Sequence, residues 1–466
     1  MDELVPGAPR MTLLDRLAGL GRSTRARAAA GASAWSVGGY AATTVLRFTS
    51  RIVLAKLLPD ASPLGTVALV ATILSGLEMI SDLGIGVNVV QHKRGAEPAF
   101  IGTAFSVQAL RGVALWALAS ALAFPVSWLY HDPQLAPLLL FGALGVAMRG
   151  FASPGLSILN RNLQLRIPTL ISVVSEIGGF AVTVAWAIAA PSAWALVAGT
   201  VTTAALLALG SHLAGPKVGF RWEREAAHSI VRFGGWILVA TGTWFLGSRG
   251  ETLLLKGSIP DVLFGCFAFG SMLVTTPTTA ITQVGSQVFL PMISSWLRDR
   301  PQDAARQYRR ARWAFTSLAI SCAAGAILIG PPFVRLLHLN ASFAELGLIV
   351  QFLGFRAAMD VLSTPLTALL LAAGASNYSA RANTVRLVAM VAGLLLTVPH
   401  WGLHGALVAL CSASLASYAV MLPGAGRIMP GVVRLELASL GAFVVGAAAA
   451  AGLFLLLAAS GLWGLA

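Results

Sequence analysis

Residues 99–129 read AFIGTAFSVQALRGVALWALASALAFPVSWL, 31 residues with one charged side chain, Arg111. About 20 apolar residues of helix suffice to cross the hydrocarbon of a bilayer. The flanks are short and polar, QHKRGAE at 91–97 and YHDPQLAP at 130–137, and beyond them further apolar runs begin. Followed along the chain, the pattern predicts thirteen spans, near 32–57, 63–90, 99–129, 135–158, 167–190, 193–213, 231–256, 261–290, 311–337, 344–373, 379–399, 402–422 and 435–463. Composition agrees: 57% of residues are hydrophobic, 11% are charged, and the mean hydropathy is +0.79. Soluble domains carry about 25% charged residues, so lipid must face much of this surface.

A net charge of +14 in a soluble protein would suggest nucleic acid. Here the basic residues sit in short loops, and they sit in alternate ones. The even-numbered loops hold Lys93 and Arg94; Arg161 and Arg166; Lys217, Arg221, Arg224 and Arg232; Arg298, Arg300, Arg306, Arg309, Arg310 and Arg312; Arg381 and Arg386; and Arg427 and Arg434. The odd-numbered loops hold only Lys56 and Lys256. The tail adds Arg10, Arg16, Arg22, Arg25 and Arg27. By the positive-inside rule the N-terminus is cytoplasmic. The tail around Leu13, Leu14, Leu17 and Leu20 reads either as a short interfacial helix or as a partly ordered segment. The stretch 435–463 reads as one span or as a re-entrant pair.

The two halves resemble each other. Trp35 stands 24 residues before Pro59-Asp60, and Trp236 stands 24 before Pro260-Asp261; Gly65 and Gly265 follow. An offset of about six spans gives both halves the same orientation, as in carriers that rock two lobes about a central site. The expected fold is therefore all-α and polytopic: two pseudo-symmetric six-helix lobes around a central cavity, plus about one extra C-terminal span. The expected division is a basic tail (1–31), an N-terminal lobe (32–213), a cytosolic linker (214–230), a C-terminal lobe (231–423), and a loop with the extra span (424–466).

Charges inside spans are costly and mark cavities or partners. Arg47 and Arg51, four apart, share a helix face and repel unless an anion or an acid lies opposite. Glu78 and Asp82 are one candidate counter-charge. Arg47, Arg51 and Arg249 are the expected anion-binding residues. Arg47 and Arg249 lie at matching depth in the repeat and could clamp an anion between them; the alternative is pairing with local acids. Arg111, Glu176, Glu78, Asp82, Arg356 and Asp360 are candidates for the cavity or for ion coupling, with Arg356 and Asp360 expected to pair within their helix. Arg149 and Arg335, near helix ends, are expected to snorkel. The basic residues at 306–312 are expected to face an anionic leaflet. Prolines 125, 154, 277, 291 and 365 mark kinks. The sequence holds no P-loop, HExxH or GxSxG pattern, and Cys266, Cys322 and Cys411 form no metal-binding or disulfide pattern. No cofactor or metal is expected. Short exterior loops disfavour a membrane-embedded polymerase or ligase.

Several stretches then resemble one family. LAKLLPDASPLGTVALVATI (54–73), VVQHKRGAEPAFIGTAFSVQALRG (89–112), LNRNLQLRIPTLISVVSEIGG (159–179), WALVAGTV (194–201) and FLPMISSWLRDRPQDAARQYRRA (289–311) are similar, in order and span placement, to bacterial polysaccharide flippases. These belong to the multidrug/oligosaccharidyl-lipid/polysaccharide exporter superfamily, and the resemblance covers roughly residues 33–420. It implies a carrier, not an enzyme, moving an undecaprenyl-diphosphate-linked oligosaccharide across the bacterial inner membrane. The implied partners are that lipid-linked oligosaccharide and membrane lipid. H+ or Na+ is the candidate coupling ion, a polysaccharide polymerase a candidate partner, and nucleic acid is not expected. A multidrug or cation antiporter of the same fold, and a peptidoglycan-precursor flippase, remain alternatives.

Overall fold

A computed structural model of the chain describes residues 13–81, 84–162, 164–228, 245–247, 249–299 and 301–460. In hydrocarbon every backbone N–H and C=O must bond within its own segment, so apolar runs of this length become helices. The first half comprises α1 (Leu13–Leu57), α2 (Ser62–Ile80), α3 (Ile85–Gln91), α4 (Pro98–Leu129), α5 (Leu135–Gly150), α6 (Gly155–Arg161), α7 (Arg166–Ala189) and α8 (Ala193–Ala214). The second half has a helical segment at 249–255, then α9 (Asp261–Asp299), α10 (Pro301–Leu328), α11 (Gly330–Leu336), α12 (Leu346–Ala372), α13 (Ser376–Ile428) and α14 (Val432–Ala459). Most of the expected seventh span, with Arg232 and Trp236, lies outside the described residues.

Among the described residues nine helices are long and apolar enough to cross a membrane, or ten with the bent pair α5–α6. One of the nine, α13, holds two expected spans: Gly402, at φ 53 and ψ −131, breaks it between them. That conformation is open to glycine and strained for other residues. α1 falls outside the nine; it carries Arg47, Arg51 and Lys56 among small and hydroxylated residues.

Several spans are less simple than the sequence suggests. The stretch 63–90 is not one helix but α2 and α3, joined through Gly84 at φ 59. The stretch 135–158 bends by 55° between α5 and α6, at Pro154. The stretch 311–337 is broken at Ile329 between α10 and α11. The tail alternatives give way to a third arrangement, because α1 runs unbroken back to Leu13. The last stretch is one helix, α14, and not a re-entrant pair.

Within the first half α4 packs on α5, α5 on α8, α8 on α7 and α7 on α1; within the second, α12 packs against α9, α10 and α13, and α14 lies on α10. Small residues permit these approaches, as expected where lipid is as apolar as the side chains. A Cβ on Gly112 of α4 would stand 2.8 Å from the Cα of Gly150 on α5. The halves meet mainly where α2 runs along α9. There the two repeat glycines face each other: a Cβ on Gly65 would come within 2.9 Å of the Gly265 nitrogen. Leu54, Leu58, Ala61, Leu64, Phe264 and Phe267 are buried around that contact.

Candidate functional site: a basic cavity between the halves

On one side of the α2–α9 contact the halves diverge and leave a cavity of about 770 Å³. Its walls are α1, α2, the start of α7, the segment 249–255 and α9. Asn160, which lines it, is exposed, so the cavity reaches the surface near the α6–α7 turn, on the side of the basic loops. At the other end it stops against buried Phe267 and the apolar collar around Gly65 and Gly265.

The lining is polar in a particular way. Thr43, Thr44, Thr72, Ser75, Thr169 and Ser172 come from the first half, and Thr252, Ser271, Thr275, Thr276 and Thr279 from the second. Ser271, Thr275 and Thr279 recur every four residues along one face of α9. Many of these hydroxyls donate to their own helix, Thr72 to Ala68 O at 2.7 Å and Ser172 to Pro168 O at 2.9 Å. Such back-bonding satisfies the O–H and leaves lone pairs for a ligand.

The cavity's charged residues are Arg47, Arg51 and Arg249, and among the described residues no carboxylate lines it. The undescribed stretch 229–244 contains no Asp or Glu, and beyond the tail the only undescribed acid is Asp82. All three arginines line this one cavity, and they are unequal. Glu176 of α7 holds Arg47 with both oxygens, Nε to Oε1 at 2.8 Å and Nη2 to Oε2 at 3.0 Å. The acid expected for Arg47, Glu78, is elsewhere: Arg149 of α5 holds it at 2.7 Å. Asp82 lies outside the described residues. Arg51 stands where the charges of Arg47 and Arg249 both oppose its own. Neither Arg51 nor Arg249 makes an ion pair with a described residue.

The remaining candidates are structural or lie to one side. Arg111 donates to Ser81 Oγ at 3.1 Å and to Glu78 O, tying α4 to the end of α2. Arg149 is paired, so it does not simply snorkel. The expected Arg356–Asp360 pair does not form. Arg356 binds Glu251 of the neighbouring segment, and Asp360 binds Arg386 of α13 at 2.9 Å. Helical spacing sets which side chains share a face, and here that shared face meets two other helices carrying the opposite charges. Arg356 and Asp360 line a small adjoining cavity of about 90 Å³, with Ser271, Thr275 and Thr279 common to both cavities.

Arg312 also departs from expectation. It is fully buried, 2.9 Å from Glu436 of α14, and donates to Leu362 O and to the Tyr418 hydroxyl, each at 2.6 Å. Tyr308 donates to Glu436 at 2.7 Å. Arg306, by contrast, is exposed beside Asp303.

The chain is 21% identical, over 83% of its own length and 81% of the other's, to an uncharacterized membrane protein in the cps region of Klebsiella pneumoniae. Its fold is similar to that of the Lipid II flippase MurJ in an inward closed conformation, with a TM-score of 0.67, 13% identity, and 90% and 98% of the two chains covered. It is also similar to a multidrug resistance MATE family transporter of the MOP superfamily in its inward-facing conformation, with a TM-score of 0.64, 14% identity, and 84% and 95% covered. The model of one family matches residues 53–341, more than half of the chain. This multi-pass membrane protein belongs to the polysaccharide biosynthesis protein family.

Proposed function

We propose that the protein is a flippase for an undecaprenyl-diphosphate-linked oligosaccharide in the bacterial inner membrane, working by alternating access with its N-terminus and basic loops in the cytoplasm. The observation that carries this reading is the cavity's charge: three arginines and no described carboxylate. Clustered cations in a recess of low dielectric are costly alone and favour an anionic guest. A diphosphate carries oxygens that guanidinium groups bind in forked, charge-assisted hydrogen bonds. Because Glu176 already occupies Arg47, Arg51 and Arg249 are the pair that would take the diphosphate, one from each half. The hydroxylated walls suit sugar hydroxyls. The lobes that would rock are 32–213 and 231–423.

A lipophilic-cation carrier would need acids facing its guest, and the described lining has none. The peptidoglycan-precursor reading keeps a specific support, the likeness to the Lipid II flippase; that guest is also an anionic lipid. Binding to purified protein in nanodiscs separates the readings. Undecaprenyl-diphosphate-linked oligosaccharide should bind, binding should fall about tenfold or more in Arg51→Ala and in Arg249→Ala, and tetraphenylphosphonium should neither bind nor compete. Binding of the cation with none of the lipid would overturn the proposal, and displacement by peptidoglycan precursor alone would favour the second reading.

A further inference from the structure

The end of the cavity opposite its mouth is shut by an apolar collar and by one buried cation. The Lys256 side chain is 1% exposed, at the end of the segment 249–255. It donates to Asp132 at 3.0 Å and to Asp261 at 2.8 Å. The two carboxylates belong to different halves. Asp132 sits in the turn between α4 and α5, whereas Asp261 opens α9, five residues beyond Lys256 in the chain. Two neutral contacts span the same boundary: Tyr130 donates to Leu253 O at 2.9 Å, and Asn340 donates to Leu58 O and Pro59 O at 3.0 and 2.9 Å.

We infer that Lys256, Asp132 and Asp261 form an asymmetric latch that holds this face closed and releases without stranding a charge. The inference rests on the alternating-access reading. A buried ammonium left without a partner is strongly unfavourable, so a simple two-member bridge between lobes would resist opening. Here the third member travels with the lysine. When the halves part, Asp132 leaves with α4 and α5, while Asp261 stays beside Lys256 in its own half. Opening therefore loses one ion pair and keeps the cation neutralised. Asp132 is 14% exposed and Asp261 56%, so the companion partner already faces water. The arrangement is not a by-product of the internal repeat. Lys56, the corresponding lysine of the first half, is exposed and makes no ion pair with a described residue.

The test is a distance measurement by pulsed electron paramagnetic resonance on the full chain in nanodiscs, without substrate. Spin labels go on cysteines introduced at Gln134 and Ser258, both exposed, one in each half, with Cys266, Cys322 and Cys411 replaced by alanine. Asp132→Asn should raise the ratio of long to short distances on the order of tenfold. Asp261→Asn should not raise it, because Lys256 then depends on Asp132 alone. Lys256→Gln, which removes the cation and leaves the Asp132 and Asp261 carboxylates facing each other, should open at least as far as Asp132→Asn. Equal opening by the two aspartate variants, or a closed distribution in Asp132→Asn or Lys256→Gln, overturns the latch. A latch that behaves as expected in a protein that binds no lipid diphosphate would sink the substrate assignment and leave the latch standing.

Discussion

Arg47 and Glu176 are 129 residues apart in sequence and 2.8 Å apart across the α1–α7 boundary. Their pairing divides the three cavity arginines into one that is compensated and two that have no ion-pair partner among the described residues. The Arg47 side chain is 64% exposed and that of Glu176 only 12%, so drawing Arg47 away to a guest would leave a largely buried carboxylate without its cation. A sharp expectation follows for Glu176→Gln. The substitution keeps the shape, removes the acid and frees Arg47 toward the cavity. Affinity for the lipid diphosphate should rise several-fold, read by the nanodisc titration, and protein should still accumulate in the membrane. Weaker binding in Glu176→Gln would mean that Glu176 positions Arg47 for the guest rather than competing with it.

At the scale of elements, the least expected feature is how α14 is attached. Glu436, the one acid of α14, is fully buried, with Arg312, Tyr308 and Tyr418 around it. Breaking one side of such a pair costs about 3–5 kcal/mol, whereas replacing both partners with apolar groups is often neutral. Glu436→Gln should therefore sharply lower the thermal midpoint of the detergent-solubilised protein. The double variant Arg312→Met with Glu436→Leu should recover most of the loss; no recovery would show that Arg312 acts through its bonds to Leu362 and Tyr418 instead. The apolar runs were legible, because lipid forces them to be long, but the breaks within them at Gly84 and Ile329 were not. Nor were their partners. Helical spacing pairs residues three or four apart, and the ion pairs here join residues 71, 105 and 129 apart, as Arg149 does with Glu78, Arg356 with Glu251 and Arg47 with Glu176. Arg312 looked like one more loop arginine because it follows five others within fifteen residues. A signal was present: Tyr308 and Tyr418 are two of only five tyrosines, and Glu436 interrupts the last apolar run.

At the scale of the whole molecule, the two halves meet along α2 and α9 and enclose a basic, hydroxyl-lined cavity. Gly65 and Gly265, matched by the sequence repeat, touch where the halves meet. The hydroxyl stripe on α9 was visible at helical spacing but carried no label until the opposing wall was in place. The latch was legible only as an anomaly: Lys256 breaks the charge alternation of the loops, and its burial between two aspartates explains why it is tolerated there. Translocation in proteoliposomes tests the central claim most directly. Undecaprenyl-diphosphate-linked oligosaccharide is placed in both leaflets, and the fraction reached by an enzyme added outside is followed with time. The account predicts that the protected fraction becomes accessible only when the protein is present. The rate should fall on the order of tenfold or more in Arg249→Ala, and less in Arg249→Lys, which keeps the charge and loses the fork. Equal rates for the wild type, Arg249→Ala and Arg51→Ala, or no translocation by well-folded wild-type protein, would contradict it.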